Sequence, residues 1–163
     1  MERLEKIRNH PLFKESTEVI SQKEKERIYC GHSLYHSLDV ARIMYIKALE
    51  QSMTVSKELI YACALLHDLG RAYEYTKGIP HDRGSAELAE RIMEDCGFSE
   101  EEIRQVTMAI SDHRNKENCT EELEYPLMRI LKEADNLSRI CFDCKVSDTC
   151  KWSEDRKNKT IKI

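Results

Sequence analysis

The run Tyr61-Ala62-Cys63-Ala64-Leu65-Leu66 closes on His67-Asp68 and continues as Leu69-Gly70. A helix through so apolar a run is buried all round rather than along one stripe. Two polar, metal-competent side chains at its end cost several kcal/mol unless they are paired or coordinated. Upstream, His36 opens His-Ser-Leu-Asp-Val-Ala-Arg, and downstream Asp135 stands in Leu-Lys-Glu-Ala-Asp-Asn-Leu-Ser-Arg. The order His, His-Asp, Asp points to a metal site assembled from three separate helices.

The rest of the chain sets the frame for such a site. Its 163 residues suit one domain, 1–163, with a core over about 30–141 and a cysteine-containing tail over 141–163. Three prolines and five glycines are few and fall mostly between periodic segments, which favours an all-α bundle of about six to eight helices. Charged residues make up 34% with a net charge of only −4, both signs interspersed, which argues against an extended nucleic-acid partner held by bulk electrostatics. The charged start, Met1 to Lys6, lacks a signal-peptide core, and no stretch approaches the roughly 18 apolar residues of a membrane span. Seven cysteines at uneven spacing then imply a reducing, cytoplasmic setting in which a cysteine cluster binds metal rather than forming disulfides. Homodimerisation through apolar helical faces stays open.

Helices are expected over about 2–8, from Pro11 to about Tyr29, and from His32 to about Gln51 with Leu34, Tyr35, Leu38, Ala41, Tyr45 and Leu49 on one face. Ser56 is the expected N-cap of a helix running to Leu69, with Gly70 as its C-terminal stop. The connection Arg71–Pro80 then reads as a lid, followed by a helix starting at Asp82 or Ser85 and ended by Gly97. Ser99 and Glu102 form a capping box for a helix reaching about His113, and a last helix runs from about Pro126 to Cys141. The final residues of the lysine-rich tail are expected to fray.

Histidine nitrogen and aspartate oxygen suit Fe, Mn, Zn, Co or Ni as divalent ions. Neighbouring residues on a helix diverge by about 100°, so Asp68 can reach two ions while His67 serves one. With these motifs in this order, from about His32 to Cys141, the chain resembles the HD-domain superfamily of metal-dependent phosphohydrolases. The resemblance implies one or two divalent ions, with His36, His67 and Asp135 as ligands and Asp68 as the bridging ligand and catalytic residue. His81, in Pro-His-Asp-Arg-Gly-Ser-Ala, and His113, in Ala-Ile-Ser-Asp-His-Arg, match the extra histidines of two-metal members. A small phosphorylated substrate is implied, a nucleotide or dinucleotide among the options. Arg71, directly after the motif, stands where relatives contact phosphate; Arg83, Arg114 and Arg139, each within a turn of a ligand position, are further phosphate-binding candidates. His32, four residues before His36, is a helical neighbour that would serve as an alternative ligand or as a donor orienting it. The same ligand order also resembles HD-type di-iron oxygenases, and a non-catalytic sensor of a phosphorylated ligand or of metal and redox state is a third reading.

Cys141, Cys144 and Cys150 have metal-ligand spacing and lie outside that pattern. Cys30 lies six residues before His36, and Cys141 six residues after Asp135. If those two helices run antiparallel, Cys30 joins the trio at one end of the bundle. Four thiolates there would hold a structural zinc or an iron–sulfur cluster; otherwise they are free thiols.

Overall fold

The computed structural model describes residues 1–113 and 126–162. Among them it contains eight α-helices and no strand: α1 (Glu2–Asn9), α2 (Pro11–Lys23), α3 (Leu34–Glu50), α4 (Lys57–Leu66), α5 (Arg71–Lys77), α6 (His81–Asp95), α7 (Glu100–Asp112) and α8 (Pro126–Leu137). Three single 3-10 turns, Cys141–Asp143, Ser147–Thr149 and Glu154–Arg156, carry the chain beyond α8.

Helix α4 is the axis. Ser56 Oγ accepts from Leu59 N at 3.1 Å and caps it, as the sequence predicts. Seven of its ten residues are buried, and it packs against α1, α3, α6, α7 and α8. Each fully buried Ile or Leu here contributes about 1.5–3 kcal/mol relative to leaving it exposed. The surrounding helices are amphipathic. Leu88, Ala89, Ile92 and Met93 of α6, Ile103, Val106, Ala109 and Ile110 of α7, and Leu127, Ile130, Leu131 and Ala134 of α8 turn inward at helical spacing. The Ser99–Glu102 capping box is present. No helix among the described residues is long and apolar enough to cross a membrane.

Several elements differ from their sequence-based expectation. Helix α2 stops at Lys23, and the Glu24 side chain is instead bonded to His32 and Tyr75. Helix α3 departs in part: Ala41 is buried and Leu38 and Tyr45 pack against the core as expected, but Ser37, Val40, Met44 and Ala48 are buried too, and Leu34, Tyr35 and Leu49 are exposed. The small residues of that inner face let α3 approach α4 and α8 closely, which outweighs the larger apolar residues on the outer face. Helix α4 ends at Leu66, and Gly70 is no left-handed stop, since its φ is −67°. Gly70 serves close packing: a Cβ there would lie 2.1 Å from Ser85 N and 2.3 Å from His81 O. Residues 71–77 form helix α5 rather than a lid, and α6 already begins at His81. Helix α8 ends at Leu137, and the tail stays docked as far as Asn158, whose Nδ2 donates to Asn136 O at 2.7 Å and Arg139 O at 3.0 Å.

Candidate metal centre

Helix ends build the site. His67 caps the C-terminus of α4, His113 that of α7, and Asp135 lies in the last turn of α8; His36 lies in the first turn of α3 and His81 opens α6. Carbonyls at a helix C-terminus lack intrahelical partners. His67 Nδ1 donates to Ala64 O at 2.7 Å, and His113 Nδ1 to Ile110 O at 2.5 Å. A carbonyl only accepts, so each ring carries its proton on Nδ1 and turns Nε2 toward the centre. His81 Nδ1 lies 3.1 Å from Glu74 Oε2, and His36 Nδ1 lies 3.4 Å from Ser138 Oγ. Five histidine rings thus form a chain, His32–His36–His67–His113–His81, with centroids 5.4–5.9 Å apart.

Two ligand groups share Asp68. His36, His67, Asp68 and Asp135 bring one ligand atom each within 4.8 Å of one another, and so do Asp68, His81 and His113. Asp68 Oδ2 lies 3.6 Å from His36 Nε2 and 3.3 Å from His67 Nε2, while Oδ1 lies 3.5 Å from His81 Nε2. Asp135 Oδ1 lies 3.3 Å from His36 Nε2 and 3.9 Å from His67 Nε2. The buried Nε2 atoms of His36 and His67 have no hydrogen-bond partner. Leaving such atoms unpaired is costly, and nitrogens converging with carboxylate oxygens fit a divalent cation.

The electrostatics divide the two groups. Burial disfavours a charged His36, but Asp135 and Asp68 more than offset this and raise its pKa to about 9. Burial likewise opposes ionisation of Asp135, yet His36 and His67 hold it at about 2. Asp68 is held well below the usual carboxylate range, against burial, by His67, His36 and Arg71. On the other side, burial and then Arg71 push His81 down to about 4, and burial followed by His67 lowers His113. His81 and His113 are therefore neutral and free to ligate at neutral pH.

Arg71 is folded against the site, its Nε 3.0 Å from Asp68 Oδ1 and its Nη1 3.5 Å from Glu74 Oε2. Arg83 is exposed on α6. Arg139 is engaged with the tail: it bonds Asn136 Oδ1 and stacks on Trp152 at 4.3 Å. Arg114 lies outside the described residues. His32 Nε2 lies 3.9 Å from Asp68 Oδ2, with its Nδ1 2.5 Å from Glu24 Oε1. Glu24, Glu74, Tyr75 and Ser138 are the residues sequence reasoning missed. Glu74 and Ser138 lie beside the His81 and His36 rings, while Glu24, which accepts from Tyr75, holds His32, and a carboxylate or hydroxyl on a polar segment carries no mark of facing inward.

The HD domain family model matches residues 33–140, a span that includes all six candidate ligands. The chain belongs to the HD-domain family. This HD protein is 39% identical over 135 residues to a protein of Clostridium beijerinckii described as uncharacterized, covering 83% of this chain and 82% of that one. Its fold resembles a crystal structure from an uncultured Thermotogales bacterium described as a predicted HD superfamily hydrolase, with a TM-score of 0.64 and 21% identity. That match covers 92% of this HD chain and 81% of the other.

Proposed function

We propose that this HD protein is a two-metal phosphohydrolase acting on a small phosphate ester or anhydride. The observation that carries the reading is a single carboxylate, Asp68, whose two oxygens face two separate sets of histidines. His36, His67, Asp135 and Asp68 Oδ2 would hold one ion, and His81, His113 and Asp68 Oδ1 the other. Held there, divalent ions would supply a water of lowered pKa, from 15.7 toward about 7, and charge to neutralise the phosphoryl oxygens. Asp68 stays ionised at neutral pH and orients the attacking water. Arg71, half-buried beside Asp68 and steadied by Glu74, offers a guanidinium to a phosphate oxygen. Glu74 also fixes the His81 ring through Nδ1.

The test is phosphate release by full-length protein loaded with Mn²⁺, from an aryl phosphate and from a panel of nucleotides and dinucleotides. Metal-dependent release is expected, with loss of at least about 100-fold in Asp68→Ala at unchanged helical circular dichroism. Full activity in Asp68→Ala rejects the site assignment. Oxygen uptake without phosphate release would replace the reading with an oxygenase.

A further inference from the structure

Cys30, Cys141, Cys144 and Cys150 lie outside the segment matched by the HD model. Helices α3 and α8 pack antiparallel: Gln51 just beyond the end of α3 bonds Arg129 near the start of α8, and His36 meets Asp135 at the opposite ends. This arrangement brings all four cysteines to one cavity of about 230 Å³, with Ile28 and Ile140 also in its wall. Cys30 is exposed and the other three are half-buried; partial desolvation and the neighbouring thiols of Cys141, Cys144 and Cys150 raise the Cys30 pKa, Arg139 opposing them. None of the four is in a disulfide.

The backbone is wound around this cavity. Cys144 N donates to Cys141 O at 3.3 Å, Ser147 N to Cys144 O at 3.2 Å, and Cys150 N to Ser147 O at 3.2 Å, so successive tight turns present the thiols to one side. Tyr29 Oη donates to Thr149 O at 3.2 Å and Lys157 Nζ to Ser147 O at 2.7 Å, fastening both walls. Trp152 is held between the guanidinium groups of Arg139 and Arg156, each 4.3 Å from its ring.

Spacing discriminates between the metals that four thiolates serve. Around one zinc, with Zn–S of about 2.3 Å, tetrahedral geometry sets the sulfurs about 3.8 Å apart. Among the described residues, the groups of three or more whose ligand atoms fall within 4.8 Å are both at the His/Asp centre, and no three of these thiols form one. In an iron–sulfur cluster the four thiolates are divided among two or four iron atoms, so no three of them converge on one ion and they surround an occupied volume. We propose that Cys30, Cys141, Cys144 and Cys150 ligate an iron–sulfur cluster that staples the entry of α3 to the segment after α8. Because Cys30 and Cys141 each lie six residues from a ligand of the His/Asp centre, the cluster also positions His36 and Asp135.

The test is iron and acid-labile sulfide per chain in full-length protein purified without oxygen, with its visible absorption spectrum. Labile sulfide accompanied by near-equal iron, beyond the metal of the His/Asp centre, is expected, as is its loss in Cys144→Ser and Cys150→Ser. His67→Ala should keep the sulfide while losing metal at the His/Asp centre. Zinc without labile sulfide in the wild-type protein overturns the proposal, whatever the variants do. Sulfide retained in both cysteine variants, or lost in a folded His67→Ala, overturns it as well. Failure of phosphate hydrolysis leaves the sulfide measurement untouched, so the two readings fail separately.

Discussion

A histidine that gives its Nδ1 proton to a carbonyl keeps a lone pair on Nε2, and at this centre His67 and His113 are held that way by their own helices. Asp68 and Asp135 nevertheless raise the pKa of His67 against burial, and they raise that of His36 to about 9, which keeps His36 protonated at neutral pH while no metal is bound. Metal must displace that proton, so uptake by stripped protein at pH 7 should release a proton and tighten as pH rises toward 9, measurable by calorimetry in buffers of different ionisation enthalpy. Stability of the metal-free chain carries the opposite sign. The His36 contribution is fully present below 6.5 and lost as pH rises through about 9, whereas that of Asp135 is present above 3.8 and lost as pH falls through about 2. Urea midpoints of the stripped protein should therefore fall on the alkaline side, and His36→Gln should flatten that limb. The candidate ligands stood out in the sequence because their residue types and order are unusual, and the fold brings them together. Glu24 and Glu74 did not stand out, because only tertiary packing decides which of 30 acidic residues turns inward.

Between elements, one close approach joins the start of α5 to α6. Gly70 N donates to Ser85 Oγ at 2.8 Å, and a Cβ on Gly84 would lie 3.2 Å from Gly70 O. Gly70→Ala places a methyl group against the backbone that carries His81. The expected result is a loss of about 1–3 kcal/mol in urea unfolding, with weaker occupancy of the ion held by His81 and His113 in metal titrations. The sequence pattern located helices well wherever caps were explicit, as at Ser56 and Ser99. It misjudged part of the α3 face because Ser37 and Ala48 are small, so the interface they make by close approach carries little hydrophobic signal. It also took Gly70 for a conformational stop, since sequence alone does not separate a glycine needed for its dihedral angles from one needed for space.

Across the whole molecule, six candidate ligand side chains, three on α3, α6 and α8 and three in the turns that end α4 and α7, converge on a centre that no single element could form. Ions that bind the folded chain and not the unfolded one stabilise it by mass action, by about 2.7 kcal/mol at 100 times Kd. With roughly 2–4 °C per kcal/mol for a chain of this size, chelation should lower Tm by about 5–11 °C, read by scanning calorimetry with and without added metal. Placing the ligands at helix ends has one more consequence, for which lengths of chain are free to vary. One extra residue inside α7 would turn His113 by about 100° and carry it about 1.5 Å along the axis, removing it from the centre. An insertion between Gln51 and Val55, which precedes the α4 cap, leaves every ligand in place. Insertions and deletions should thus be tolerated in that connection and rejected within α3, α7 and α8, so that the helices act as fixed-length rulers for the chemistry at their ends.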